Sequence, residues 1–298
     1  MEKSSKGGTP PTIRRAFRVF RIVNKQKLGE VTTLLEIEAP LIAAKAQAGQ
    51  FLILRTHDKS ERIPLTLSDW NASRGTVTVI FQHMGRSTNE LAILDVGDYI
   101  RDVVGPLGTP SHIENFGTVV CVGGGIGVAE LRPIARALKQ AGNTVISIIG
   151  ARCRELVILE DDMRASSDEL HVTTDDGSYG RKGYVSEILT EIIAGGREIN
   201  LVYAIGPVPM MKVVAAMTKP AGLKTIVSLD SIMVDGTGMC GACRVTVGGR
   251  TRFTCVDGPD FDAHEVDWDE LVARKRMYLD EEKRAVESHE HHAGGCCH

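Results

Sequence analysis

Thr118-Val119-Val120-Cys121-Val122-Gly123-Gly124-Gly125-Ile126-Gly127 runs from five β-branched or apolar residues straight into four glycines spread over five positions. An unbroken apolar strand of this kind is buried on both faces, as strands are inside a parallel sheet. Glycines placed between such a strand and a helix let backbone N–H groups approach a phosphate, with the helix dipole aimed at it. The amphipathic stretch from Leu131 to Leu138 supplies that helix.

The pattern continues towards the C-terminus. Thr144 to Ile149 reads as the next strand, followed by a helix from Glu155 to Met163 and a strand at Leu170–Thr173. A helix near Val185–Ala194 comes next, then a strand from Asn200 to Ile205 that ends in Gly206-Pro207, and a helix through Val213. Alternating β and α segments predict a doubly wound parallel sheet. The glycine loop is G-G-G-x-G, not the full G-x-G-x-x-G, and Gly150-Ala151-Arg152 stands where an acidic ribose ligand would close the second strand. A tight βα turn without a ligand is therefore the competing reading. Gly206-Pro207 favours nucleotide binding, because ligands of open α/β sheets sit along the carboxyl edge of the strands.

Towards the N-terminus the texture is different. Val31–Ile37, Phe51–Leu54 and Thr76–Phe81 are β-rich runs with no helices between them, the signature of an antiparallel sandwich or small barrel. One short helix is expected to start near Ser87, whose Ser-Thr-Asn-Glu run resembles a capping box. Arg62-Ile63-Pro64-Leu65-Thr66 sets a cation and a hydroxyl close together on a strand. Gly85-Arg86-Ser87-Thr88 could offer N–H groups and hydroxyls to a pyrophosphate. Taken alone, the two read first as a surface arginine and an ordinary helix cap.

Composition narrows the function classes. The chain has 298 residues, 43% hydrophobic and 24% charged, enough for two ordinary domains. Its formal charge of −3 argues against wholesale nucleic-acid binding. No apolar run approaches the roughly 20 residues that a membrane span needs. Met1 to Pro11 has no apolar core, so a secretory signal is not expected and the cytoplasm is. These textures divide the chain into a disordered leader (1–11), a β domain (12–112), an α/β domain (113–226), a cysteine-bearing segment (227–265), and a C-terminal helix and tail (266–298).

Seven cysteines are unevenly spread. Cys121 and Cys153 stand alone, Cys296 and Cys297 close the chain, and Cys240, Cys243 and Cys255 cluster in a glycine-rich loop beginning at Asp235. Without an export signal a metal or redox centre is a better expectation than a disulfide framework. Plant-type [2Fe–2S] sites use C-x4-C-x2-C with a distant fourth cysteine. Asp235, Cys240, Cys243 and Cys255 match that spacing with aspartate in the first place. A zinc site with three cysteines and one Asp or His is the alternative. The iron–sulfur reading is preferred because one-electron chemistry has a use beside a nucleotide domain.

These motifs, in this order, resemble the ferredoxin–NADP reductase superfamily. They include R-x-P-L-T and G-x-S-T in the β domain, then G-G-G-I-G and A-I-G-P-V-P-M-M in the α/β domain, and finally the cysteine loop. Within it, Thr173–Gly183 and Ile232–Gly241 are similar to the electron-transfer subunits of dihydroorotate dehydrogenase. They are still more similar to the small subunits of electron-bifurcating NADH-dependent reduced ferredoxin:NADP oxidoreductases, also called sulfide dehydrogenases. The resemblance covers residues 12 to 285. It implies a Greek-key β barrel that binds FAD, with Pro64, Leu65 and Thr66 beside the flavin ring and Gly85, Ser87 and Thr88 at the pyrophosphate. It implies NAD(H) against Gly123, Gly124, Gly125, Ile126 and Gly127 and the Gly206-Pro207 edge. A small C-terminal subdomain would carry the [2Fe–2S] cluster on Asp235, Cys240, Cys243 and Cys255.

The implied activity is oxidoreductase chemistry. A hydride passes from NADH to FAD, and single electrons pass through the cluster to a larger subunit with its own flavin and [4Fe–4S] clusters, in a heterodimer or larger assembly that serves ferredoxin indirectly. Thr66 is the one side chain expected to hydrogen bond the flavin during the reaction. Relatives carry an arginine three residues before the flavin hydroxyl residue, where this chain has Ile63, so Arg62 is expected to miss the phosphate. Leu65 replaces an aromatic, and Glu130 stands where relatives carry proline. Arg152 and Arg154 could receive a 2′-phosphate, although the resemblance favours NAD(H). A dihydroorotate or sulfide dehydrogenase subunit, a stand-alone flavin reductase and a non-enzymatic zinc protein are the alternatives. The tail from His289 to His298, with four histidines and two cysteines, reads as a disordered end.

Overall fold

The computed structural model describes residues 20–285. The leader and the His/Cys tail singled out above lie outside the described residues. The first part comprises β1 (Phe20–Lys27), β2 (Thr32–Glu38), α1 (Pro40–Ala43), β3 (Phe51–Arg55), β4 (Ile63–Thr66), β5 (Asp69–Asn71), β6 (Thr76–Gln82), α2 (Arg86–Ile93), β7 (Tyr99–Ile100) and β8 (Asp102–Leu107). All strand pairs here are antiparallel, in a five-stranded sheet ordered β5-β6-β2-β1-β7 and a three-stranded sheet ordered β4-β3-β8. Both sheets turn their alternate apolar residues onto one core: Ile22, Leu35, Ile37, Leu52, Leu54, Val77, Val79 and Phe81 are all buried.

The second part comprises β9 (Thr118–Gly124), α3 (Gly127–Gln140), β10 (Thr144–Ala151), α4 (Glu160–Ala165), β11 (Glu169–Thr174), β12 (Arg181–Lys182), α5 (Val185–Ala194), β13 (Leu201–Ile205), α6 (Val208–Thr218) and β14 (Thr225–Ser228). It is followed by a hairpin of β15 (Arg244–Val247) and β16 (Arg250–Phe253), then β17 (Asp260–Asp262) and α7 (Trp268–Lys275). The main sheet is ordered β12-β11-β10-β9-β13-β14-β17, parallel except where β17 pairs with β14. β9 has β10 on one side and β13 on the other, so the strand order reverses at β9, where such sheets open a crevice at their carboxyl edge. Val119, Val120, Cys121 and Val122 of β9 are fully buried between helical layers, as their unbroken apolar run requires. α3 buries Val128, Leu131, Ile134, Ala135 and Leu138, the helical spacing that faces the sheet.

Two local expectations are corrected. The helix read over Glu155–Met163 is broken: Arg154–Leu156 is a 3-10 turn, and Leu159, at φ 57°, stops the chain before α4 begins at Glu160. α2 starts one residue before Ser87, with Gly85 as its cap. The Thr88 hydroxyl accepts the Gly85 N–H at 3.1 Å, while Ser87 donates to Glu61 at 2.8 Å. β17, which falls in the stretch read as the cysteine subdomain, pairs with β14 at the edge of the main sheet. Among the described residues no helix is long and apolar enough to cross a membrane.

Candidate functional site

A cleft of about 1040 Å³ lies between the barrel and the carboxyl edge of the parallel sheet. That volume is at the upper end of what one small ligand occupies, which is about 300 to 1,000 Å³. Its sheet-side wall is the turn after β9 and the turn after β13: Gly124 to Gly127 and Gly206 to Met210. Gly125 is left-handed (φ 55°) with open space where a Cβ would stand. Gly127 is glycine for another reason. A Cβ there would meet the Ile205 carbonyl oxygen at 2.6 Å and Gly206 Cα at 2.9 Å, so α3 could not start this close to β13. Glycine backbone therefore lines much of the mouth of α3, beside Ile126 and Met210, a site suited to a phosphate.

Pro64, Leu65 and Thr66 of β4 form the barrel-side wall, with Thr88 of α2 farther along. Between the walls sits Glu130, in the first turns of α3. Its carboxylate accepts the Ser228 hydroxyl at 2.7 Å and also hydrogen bonds the Thr66 hydroxyl. Burial pushes its pKa up to about 7, and the nearby Asp260 and Asp230 carboxylates add to the rise. At the mouth, Lys275 of α7 pairs with Asp230.

The cysteine loop packs on the other side of the barrel wall. Cys243 and Cys255 are buried with Sγ atoms 3.2 Å apart, and they cluster with Phe51, Ile53 and Met233. Burial first, and then the Cys243 thiol, push Cys255 up to about 12. Cys240 is exposed. Asp235 accepts the backbone N–H groups of Thr237 at 2.8 Å and Cys240 at 2.7 Å, bonds that lower its pKa and tie the loop's two ends together. Gly236 and Gly238 are both left-handed; a Cβ on the first would strike Ile53 at 2.8 Å and on the second Val256 at 2.7 Å. The loop is thus wound tightly against the barrel. Among the described residues no group of three or more His, Cys, Asp or Glu side chains is gathered at metal distance. Phe51 belongs to both neighbourhoods: it lines the cleft and packs on the cysteine pair.

Of the residues singled out in the sequence, Pro64, Leu65, Thr66, Thr88, Gly124, Gly125, Ile126, Gly127, Gly206 and Pro207 line this single cleft. Gly85, Ser87 and Gly123 do not; Ser87 is engaged with Glu61, and Gly123 is a strand residue of β9. Arg62 is exposed and away from the lining, whereas Arg152 lines it and Arg154 stacks over Tyr179 at 5.3 Å. Ser228, Asp230, Asp260 and Lys275 were not readable as site residues. Each arrives from an element remote in sequence, and no local spacing marks it.

Comparisons with known proteins agree with this geometry. Residues 121–216 match the model of the oxidoreductase NAD-binding domain, and residues 230–267 match that of the iron–sulfur cluster binding domain of dihydroorotate dehydrogenase B. The chain is 47% identical over 266 residues to a dihydroorotate dehydrogenase B (NAD(+)) electron transfer subunit homolog from Thermotoga maritima, covering 89% of this chain and 94% of the relative. It is 34% identical to the dihydroorotate dehydrogenase B (NAD(+)) electron transfer subunit of Bacillus caldolyticus, over 82% of this chain and 96% of the other. A solved structure of an NADH-dependent reduced ferredoxin-NADP oxidoreductase, studied for flavin-based electron bifurcation, superimposes with a TM-score of 0.87. It shares 44% identity and covers 95% of this chain and 99% of that one.

Proposed function

The chain belongs to the family of dihydroorotate dehydrogenase B electron transfer subunits, and from that premise we propose that it is the flavin and iron–sulfur electron-transfer subunit of an NADH-dependent oxidoreductase. Its bound FAD would receive a hydride from NADH, and its [2Fe–2S] cluster would pass electrons one at a time to a larger flavoprotein subunit, as in an electron-bifurcating transhydrogenase.

The chain's own residues fit these groups. The glycine-rich backbone of Gly124, Gly125 and Gly127 at the start of α3 can hold nucleotide phosphates. Pro64 and Leu65 give the barrel wall an apolar surface for a flat ring, and Thr66 gives it one hydroxyl. Thr88, in the first turn of α2, would face the pyrophosphate. Cys243 and Cys255 already stand side by side, and Asp235 and Cys240 lie on the same glycine loop. These four are the proposed cluster ligands. Electron passage rests on one observation: Phe51 and Met233 line the cleft and also belong to the cluster that holds Cys243 and Cys255, so the two centres would be neighbours.

We place the protein in the cytoplasm, where thiols stay reduced. All five described cysteines are free, and the 3.2 Å separation of Cys243 and Cys255 is not a disulfide. The testing experiment is absorption and EPR spectroscopy of the purified protein before and after anaerobic NADH. Flavin bands that bleach, with a [2Fe–2S] signal that appears on reduction, are expected. A colourless sample containing zinc and no iron overturns the proposal.

A further inference from the structure

We propose that Glu130 and Asp260 hold one proton between them through the Ser228 hydroxyl, and that this proton relay opens onto the cleft at Thr66. Hydrogen-bond accounting carries the proposal. Ser228 has one proton to give and donates it to Glu130 at 2.7 Å. Asp260, opposite Ser228 in the β14–β17 pairing, receives Ser111 at 2.7 Å and the Tyr203 hydroxyl, both on Oδ2. Its Oδ1 is buried with no hydrogen-bond partner. An ionised carboxylate oxygen left this way is costly. A proton on that oxygen makes it a donor to the free lone pairs of Ser228, which can then keep donating to Glu130. Every group from Asp260 to Thr66 is then satisfied.

The surroundings favour sharing over double ionisation. Facing Glu130 are Thr66 from β4, Ser228 and Asp230 after β14, Asp260 from β17, and Tyr203 from β13 behind Asp260. Lys275, a cation lining the same cleft, is paired with Asp230. Arg132, on the same helix as Glu130, turns instead to Asp69 and Asp162. Burial raises both acids, Glu130 to about 7 and Asp260 to about 6, close enough for one proton to serve either.

What the relay serves rests on the cleft being a flavin site. A reduced ring there that gives up two electrons singly must also lose the proton that came with the hydride. Thr66 accepts that proton as it passes its own to ionised Glu130, so Thr66 is unchanged and the carboxyl pair gains one proton. The electrons go on to the cluster, and a proton later leaves the pair for solvent.

Infrared pH titration of the holoprotein tests the relay. Wild type should show one protonated-carboxyl C=O band titrating near neutrality. In E130Q, Ser228 is free to donate to Asp260; in D260N, the amide can donate to Ser228. Each variant should therefore move the remaining acid's midpoint down by about one pH unit or more. Absence of the wild-type band, or one variant titrating like wild type, overturns sharing. Should either variant fail to fold, S228A decides, because it must split the single titration into two. T66V removes a hydrogen bond that holds Glu130 down, so it should raise the midpoint and slow deuterium exchange of the band; unchanged exchange removes Thr66 as the outlet. The flavin absorbance of the same samples reports separately on the reading of the cleft.

Discussion

The Ser68 hydroxyl of the barrel donates to the Ala129 carbonyl of α3 at 2.7 Å, taking the acceptor that Pro133, four residues on, cannot use. A proline inside a helix has no N–H for the carbonyl one turn back, which would leave a buried oxygen unsatisfied. Here a residue of the other domain supplies the donor, and the neighbouring chain confirms the dock. Arg132 donates to the Ser68 carbonyl at 3.0 Å and pairs with Asp69 at 2.7 Å. Ser68→Ala should cost about 1–3 kcal/mol by orphaning the carbonyl. In a Pro133→Ala background the helix can close its own bond, so Ser68→Ala should cost distinctly less. Denaturant unfolding of the four proteins in this cycle checks it, and equal costs in both backgrounds would refute the link.

Two glycines of the same turn should respond for different reasons and to different degrees. At Gly125 an alanine meets no atom within 4 Å but must hold φ 55°, at a cost of about 1 kcal/mol. At Gly127 the φ is ordinary, but the Cβ would press on the backbone of Ile205 and Gly206, which cannot rotate away. Gly127→Ala should therefore push α3 off β13, costing about 1–3 kcal/mol and weakening NADH binding more than tenfold. Thermal denaturation and NADH titration of the two variants, side by side, measure this contrast.

The cysteine loop gives a third expectation. Cys243→Ser should abolish the iron–sulfur spectrum while NADH still bleaches the flavin, because Cys243 lies behind Phe51 and outside the cleft lining. Asp235→Cys should keep a cluster, since a thiolate ligates iron at least as well, and should change its EPR spectrum. Asp235→Ala should lose it. Iron content per chain together with EPR decides; full iron in Cys243→Ser rules out that ligand.

How much of this could be read from the chain follows from the range of each signal. Val119–Val122 and the glycines after them announced a buried parallel strand and a tight turn into a helix, because strand burial and turn geometry are written within ten residues. The grouping of Cys240, Cys243 and Cys255 was legible for the same reason. The break at Leu159 was not: Val157, Ile158 and Leu159 continue an apolar pattern that suits a helix, and only packing forces Leu159 to φ 57°. Nor was β17, which returns to the parallel sheet only after the cysteine hairpin. Glu130 was visible merely as a substitution for proline. Its partner Ser228 is 98 residues away, and nothing local to either residue marks the pair.

Glu130 and Asp260 together shape the pH response of the fold. Glu130 rises from 4.5 to about 7 and Asp260 from 3.8 to about 6, both chiefly through burial. The native state then binds more protons than the unfolded chain between those limits, so stability falls as pH rises through them. The loss begins near the unfolded values and is complete above about 7. A shift of this size on Glu130 corresponds to about 3 kcal/mol as an upper bound. Glu130→Gln cannot ionise and should flatten the decline between mildly acid and mildly alkaline pH, gaining stability relative to wild type at the alkaline end. Wild type and variant need only be melted at a series of pH values. Parallel curves would show that Glu130 is already ionised in the folded protein at the acid end.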